Sequence, residues 1–174
     1  MNRGVPAPAP APASPADADA GSDSQLERAL AVAYQQLGRR ERTVHELREH
    51  LLARELTAPA VEAAIGELTE LGYLDDARYA QLFAQDKRTL EQWGAERIRR
   101  ELIARGIPRD LAHAASEEGE QDEGELERAL AVLARRFPDG VRDARERERA
   151  LGMLLRKGYE YELANDALSQ ARNG

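Results

Sequence analysis

From Leu26 onward, apolar residues return every three or four positions, the spacing that lines one face of a helix. Leu26, Leu30, Ala33 and Leu37 make the first such face, and Gly38 is placed to stop that helix. A second helix starts at Thr43, with Glu46 completing a Thr-x-x-Glu capping box and Val44, Leu47 and Leu51 as its stripe. A third runs from about Pro59, with Val61, Ile65, Leu68 and Leu71 inward and Gly72 just past its end. Asp75 and Asp76 open a fourth, where carboxylates suit the positive end of the helix dipole. Its expected inward residues are Tyr79, Leu82, Phe83 and Leu90.

The pattern then repeats. Gly94, Ile98, Leu102-Ile103 and Arg105-Gly106-Ile107 keep the spacing of Thr43, Leu47, Leu51-Leu52 and Arg54-Glu55-Leu56. Ala150, Leu154-Leu155 and Lys157-Gly158-Tyr159 give a third copy. A short helix follows each, its first inward residue Val61, Leu111 or Leu163. The opening helices match too, since Leu26-Glu27-Arg28-Ala29-Leu30-Ala31-Val32 recurs letter for letter at residues 126–132. The chain therefore reads as all-α: three tandem three-helix, homeodomain-like units of about 50 residues, stacked into an elongated, curved array. The units are placed at 25–74, 75–116 and 126–174.

Two segments fall outside the units. Residues 1–24 alternate proline with alanine and then turn to Asp, Ser and Gly, which reads as a disordered tail. Residues 117–125 are acidic with nothing apolar to bury, and read as a solvated linker.

Composition narrows the function. Of 174 residues 42% are apolar but only 5% aromatic, so Leu, Ile, Val and Ala must fill the cores. The absence of cysteine excludes disulfides, thiolate metal sites and cysteine nucleophiles. No run approaches the ~20 apolar residues of a membrane span, and the N-terminus lacks a signal peptide's apolar stretch. These readings point to a cytoplasmic protein away from membranes. With 32 acidic against 25 basic residues and a net charge of −7, strong independent binding to nucleic acid is not expected, although local patches can still meet phosphate.

Catalytic patterns are lacking. His45, His50 and His113 form no HExxH pair or ligand cluster, so neither a metal nor another cofactor is expected. Ser14, Ser22, Ser24 and Ser116 lie in no nucleophile elbow, and the glycines are scattered at helix ends rather than gathered in a phosphate loop. A helix N-terminus is expected to favour the charged form of a carboxylate, so Asp75 and Asp76 suit capping and not general acid work. The expectation is a protein that binds and does not catalyse.

Binding has better material. Residues 78–112 carry eight Arg or Lys against five Asp or Glu, an excess of three positive charges within an acidic chain. Lys87 and Arg88 close one helix, and Arg97, Arg99, Arg100 and Arg105 decorate the next around the inward Ile98, Leu102 and Ile103. Arg39, Arg40 and Arg42 precede the equivalent helix of the first unit. Arginine suits phosphate because its planar fork donates two parallel hydrogen bonds. Glu96 with Arg100 and Glu101 with Arg105 stand at i,i+4, however, where they can neutralise the same guanidiniums within the helix.

Gly72-Tyr73-Leu74-Asp75-Asp76-Ala77-Arg78-Tyr79-Ala80, then Gly94-Ala95-Glu96-Arg97-Ile98-Arg99-Arg100-Glu101-Leu102 and Arg105-Gly106-Ile107, resemble the RecX family of bacterial recombination regulators. The upstream Arg42-Thr43-Val44-His45-Glu46-Leu47-Arg48 is similar to the family's first-unit motif, and the likeness runs over about residues 26–172. It implies a protein that binds the recombinase RecA and lodges in the groove of the RecA–single-stranded DNA filament, and the repeat array itself could work as a monomer. There the family restrains filament growth, ATP hydrolysis and strand exchange, and so regulates DNA repair and the SOS response. Carried over, Thr43, Glu46, Leu47, Gly72, Tyr73, Leu74, Asp75, Asp76, Tyr79, Gly94, Ile98, Leu102 and Gly106 hold the units together. The arginines and Lys87 named above then become the candidate contacts with RecA or DNA. One departure stands out: Glu55 occupies the helix-end position where Gly106 and Gly158 stand in the other units. The rival readings are a duplex-DNA binder that puts a basic helix into the major groove, and a helical-repeat adaptor for another protein.

Overall fold

The computed structural model describes residues 15–117 and 122–173, with side chains described over 21–117 and 124–171. The described residues form nine helices: α1 Pro15–Leu37, α2 Val44–Leu52, α3 Ala58–Glu70, α4 Asp76–Glu91, α5 Ala95–Ala104, α6 Arg109–Glu117, α7 Asp122–Arg136, α8 Ala144–Lys157 and α9 Tyr161–Asn173. They group in threes, α1–α3, α4–α6 and α7–α9, each trio packed around its own apolar cluster.

The repeat in the sequence is a repeat in the burial. Leu47, Ile98 and Ala150 have no exposed surface in α2, α5 and α8, and neither do Leu51, Leu102 and Leu154 one turn later. Each such leucine removed from water contributes roughly 1.5–3 kcal/mol. Ala29, Ala80 and Ala129 are likewise fully buried in the first helix of each trio, where a small side chain lets neighbouring backbones approach.

The caps follow from the sequence. Thr43 Oγ1 accepts from the Glu46 amide at 3.0 Å, and Asp75 Oδ1 from the Arg78 amide at 2.9 Å. Gly72 takes φ +75, and the Tyr73 amide bonds back to the Leu68 carbonyl at 2.8 Å, which closes α3 in a Schellman motif.

Several expectations change. Helix α1 reaches back to Pro15, so residues 15–24 are helical and not a tail, and residues 1–14 lie outside the described residues. Proline is at home at a helix start, and the Ala-Asp-Ala-Asp-Ala run behind it combines good helix formers with carboxylates at the dipole's positive end. The acidic linker shrinks in the same way: Glu117 ends α6 and Asp122 begins α7, while residues 118–121 lie outside the described residues. Leu71, Leu82, Leu90 and Ile103 face outward, Leu90 at 78% exposure. In α4 the buried positions are Ala80 and Ala84, so leucines flanking that narrow alanine line are left at its rim.

Candidate functional site

The three units are joined end to end through their middle helices. The Gly94 and Glu96 amides at the start of α5 donate to the Lys157 and Gly158 carbonyls at the end of α8, at 2.9 and 3.2 Å. At the start of α2, the Thr43 hydroxyl donates to the Arg105 carbonyl at the end of α5, at 2.8 Å. The negative end of one helix dipole thus meets the positive end of the next at both joints. A carboxylate completes each: Asp76 Oδ1 accepts from the Val44 amide at 2.9 Å, and Glu125 Oε1 from the Ala95 amide at 3.0 Å. Val44 and Ala95 are both first residues of a middle helix. Asp76 therefore serves the neighbouring unit rather than its own α4, which Asp75 caps. Contrary to the lowering expected at a helix start, the Asp76 pKa is raised, because burial outweighs the opposing Val44 N–H. Glu125, read from the sequence as part of a solvated linker, is buried.

The turn leaving each middle helix is left-handed, with φ +58 at Glu55, +81 at Gly106 and +94 at Gly158. At the two joints this turn touches the next unit so closely that only glycine fits. A Cβ on Gly106 would come 2.5 Å from His45 Cδ2 and closer still to Cβ, and one on Gly158 would come 2.5 Å from the Arg97 amide nitrogen.

This geometry sorts the candidate cations. Arg105 lies in the first joint, 3.2 Å from Glu46 Oε1 and 3.1 Å from the Tyr79 hydroxyl, with its guanidinium over the Phe83 ring. Arg97 lies in the second, 3.9 Å from the Trp93 ring centre, and donates to the Arg156 carbonyl at 3.3 Å. Lys87 pairs with Glu91 and covers the same Trp93 ring at 4.8 Å. Arg88 donates to the Ala115 and Ser116 carbonyls at the end of α6. Arg99 pairs with Glu96 and contacts His113. Arg40 pairs with Glu46 at 2.8 Å, and Arg42 donates to Gln36 at 2.6 Å. The Glu96 carboxylate thus pairs at i,i+3 with Arg99, and Glu46 rather than Glu101 is the carboxylate on Arg105.

Arg39 and Arg100 are exposed, and their side chains make no hydrogen bond or ion pair among the described residues. Arg39 is one of the arginines that, after burial and Arg54, hold the His50 pKa below its usual value. Arg100 lines a recess of about 450 Å³ at the second joint, together with Leu155, Tyr159 and Tyr161.

A feature the sequence reading missed runs along the same helices. Leu52, Ile103 and Leu155 each follow a fully buried leucine, and they are exposed to nearly equal degree, 40%, 38% and 40%. Their signal was already in the repeat, as the second member of each apolar pair, but Ile103 was expected inward and Leu52 and Leu155 were given no role of their own. Glu125 was missed because it acts between units, and Trp93 because it joins its unit's core from the turn between two helices, where no within-helix period marks either.

Domain models of the RecX family match residues 29–68 as the first three-helix domain, 75–115 as the second and 123–168 as the third. A regulatory protein RecX of Chromohalobacter salexigens is 33% identical over 135 residues, covering 78% of this chain and 87% of that protein. One from Lactobacillus delbrueckii subsp. bulgaricus is 39% identical over 88 residues, a match that spans 51% of this chain and 32% of the relative's length. The crystal structure of RecX from Lactobacillus salivarius superposes with a TM-score of 0.77 at 19% identity, covering 87% of this chain and 99% of that one. At that identity it establishes the shared fold. Among the described residues no helix is long and apolar enough to cross a membrane, and no three His, Asp or Glu gather as metal ligands would.

Proposed function

The chain belongs to the RecX family of regulatory proteins, and from that premise we propose that it acts as a cytoplasmic, non-enzymatic monomer that binds RecA and the RecA–single-stranded DNA filament and inhibits ATP hydrolysis, filament extension and strand exchange. The observation that carries this reading is the row of Leu52, Ile103 and Leu155 at one register of three helices joined head to tail. Single exposed leucines are ordinary, but three in equivalent positions present apolar contacts at the period of the repeat. A filament of identical protomers is a periodic target, and each contact raises the effective concentration of the next. Arg39 and Arg100 are the side chains free to meet phosphate or acidic residues, and a net charge of −7 fits binding to protein together with DNA better than to DNA alone.

The test is RecA ATPase on single-stranded DNA, titrated with this protein. Wild type should suppress hydrolysis. Leu52→Ser, Ile103→Ser, Leu155→Ser together should raise the half-inhibiting concentration by about tenfold, which corresponds to about 1.4 kcal/mol of lost contact. Arg100→Glu alone should have a smaller effect. No inhibition by the folded wild type at any ratio would overturn the reading. Salt-sensitive duplex binding without RecA would replace it with groove recognition.

A further inference from the structure

The chain has one Trp, five Tyr and two Phe, and its units use them differently. In the second unit Tyr79, Phe83 and Trp93 join the core, and in the third Phe137 and Tyr159 do. The apolar core of the first unit is wholly aliphatic. Its two tyrosines, Tyr34 and Tyr73, lie outside that core and against each other, with ring centres 5.4 Å apart and planes at 86°. Tyr34 is 41% exposed and Tyr73 57%, and neither hydroxyl makes a hydrogen bond among the described residues.

The backbone holds both rings in place. Tyr34 stands in the last turn of α1, where its carbonyl accepts from the Gly38 amide at 2.9 Å. Tyr73 sits in the turn that closes α3, fixed by its amide on the Leu68 carbonyl and by the buried Leu74 beside it. Edge-to-face contact at this distance is a favoured arrangement of two rings, so the pair is oriented before any ligand arrives. Arginines flank it. Arg42 and Arg78 share a small recess with Tyr73, and the carboxylates of that recess are engaged. Glu41 pairs with Arg78 at 2.7 Å, and Asp75 accepts from the Arg78 amide at 2.9 Å. Arg39, just past the end of α1, is exposed and uncommitted among the described residues.

Exposed, oriented rings beside a free guanidinium match the chemistry of single-stranded DNA. An unpaired base offers a π-face to an aromatic ring whatever its identity, and the phosphate next to it suits the guanidinium fork. A duplex hides those faces in its own stack. We infer that Tyr34 and Tyr73 form a stacking platform for an unpaired base of single-stranded DNA, with Arg39 taking the adjacent phosphate. The inference rests on the proposed binding to the RecA–single-stranded DNA filament, and it names where the first unit meets the strand. A net charge of −7 keeps this contact weak by itself. Within a filament it adds to the other contacts through effective concentration.

The test is fluorescence anisotropy of labelled oligonucleotides of about twelve nucleotides with the full chain, without RecA, at about 50 mM salt. One strand is thymidine throughout, and the other has the same phosphates with the bases removed. Wild type, titrated to about 1 mM, should bind the thymidine strand about tenfold more tightly than the abasic one. Tyr34→Leu, Tyr73→Leu should abolish that preference, while Tyr34→Phe, Tyr73→Phe should keep it because the rings remain. Arg39→Gln should weaken binding of both strands alike. Circular dichroism confirms that each variant is folded. Equal binding of the two strands by wild type, or no binding of either, overturns the inference. So does a leucine variant that keeps the preference. Inhibition of RecA ATPase is read separately, so a chain that inhibits RecA without any base preference loses the platform and keeps the proposed function. Weaker inhibition by the leucine variant in that case would assign the two rings to RecA protein instead.

Discussion

Between the first and second units the joint is carried by side chains, whereas between the second and third the backbones themselves meet. Thr43 reaches the Arg105 carbonyl through its hydroxyl, and Arg105 is fixed by Glu46 and Tyr79. At the equivalent place Gly94 has no side chain, so its amide approaches the Lys157 carbonyl directly. Around that contact Arg97 lies over Trp93, Lys157 Nζ donates to the Glu91 carbonyl and the Tyr159 hydroxyl donates to the Gln92 carbonyl. The same carbonyl position is used both times, reached by different atoms. What the repeat preserves is the register of helix end on helix start, and the N-cap residue decides how close the backbones come.

The harshest way to break this comparison is to give the second joint a side chain. A Cβ on Gly94 would stand 2.5 Å from the Gly158 carbonyl carbon and 2.6 Å from the Tyr159 nitrogen, and both neighbours are backbone that cannot swing aside. Gly94 itself lies at φ −79, where alanine is unstrained, so Gly94→Ala reports the contact alone. We expect about 3 kcal/mol of docking energy to be lost. The third unit should then unfold in a separate, earlier transition, with faster hydrogen exchange at the Gly94 and Glu96 amides. A single transition at the wild-type temperature would mean that the joint can shift to admit a methyl group.

In the first joint the matching change is milder. Thr43→Val keeps the shape but removes the hydroxyl that caps Glu46 and donates to Arg105. The loss should be about 1–2 kcal/mol, measurable as a lower thermal midpoint of the first two units. Equal losses from the two substitutions would show that backbone contact and side-chain bridging are equivalent, and the contrast between the joints would dissolve.

Helix number, unit order and the core positions were legible in the sequence because each is written within one helix. Leu47, Leu51, Ile98 and Leu102 declare themselves by period, and Thr43 and Asp75 by the chemistry of a cap. The joints were not legible, since a joint pairs residues of different units, far apart in the chain, that share no period. Asp76 looked like a second cap for α4, and Arg97 and Arg105 looked like surface cations, because nothing local says that a neighbouring unit lies within reach. Glu55 was visible as a departure, but its meaning required the shape of the two joints where glycine stands.

The finest way to separate the joints is by pH, through the carboxylate of the first. Asp76 is half-buried; desolvation raises its pKa first, the Val44 N–H lowers it, Asp75 and Glu46 raise it and Arg48 lowers it. Folded Asp76 therefore holds its proton more tightly than the unfolded chain does. In the window just above the ordinary carboxylate range, the folded state binds more protons, so stability falls as pH rises through that window. Asp76→Asn keeps an oxygen to accept from Val44 and removes the titration. The variant should lose this slope, and at neutral pH its first joint should be as stable as wild type or slightly more so. Denaturant unfolding at a series of pH values from about 4 to 7 reads the slope directly. An unchanged slope in Asp76→Asn would place the titration elsewhere. A clear loss of stability at neutral pH would show that the carboxylate's charge, facing the start of α2, outweighs its burial, and the two joints would then be held by electrostatics more than by their contrasting contacts.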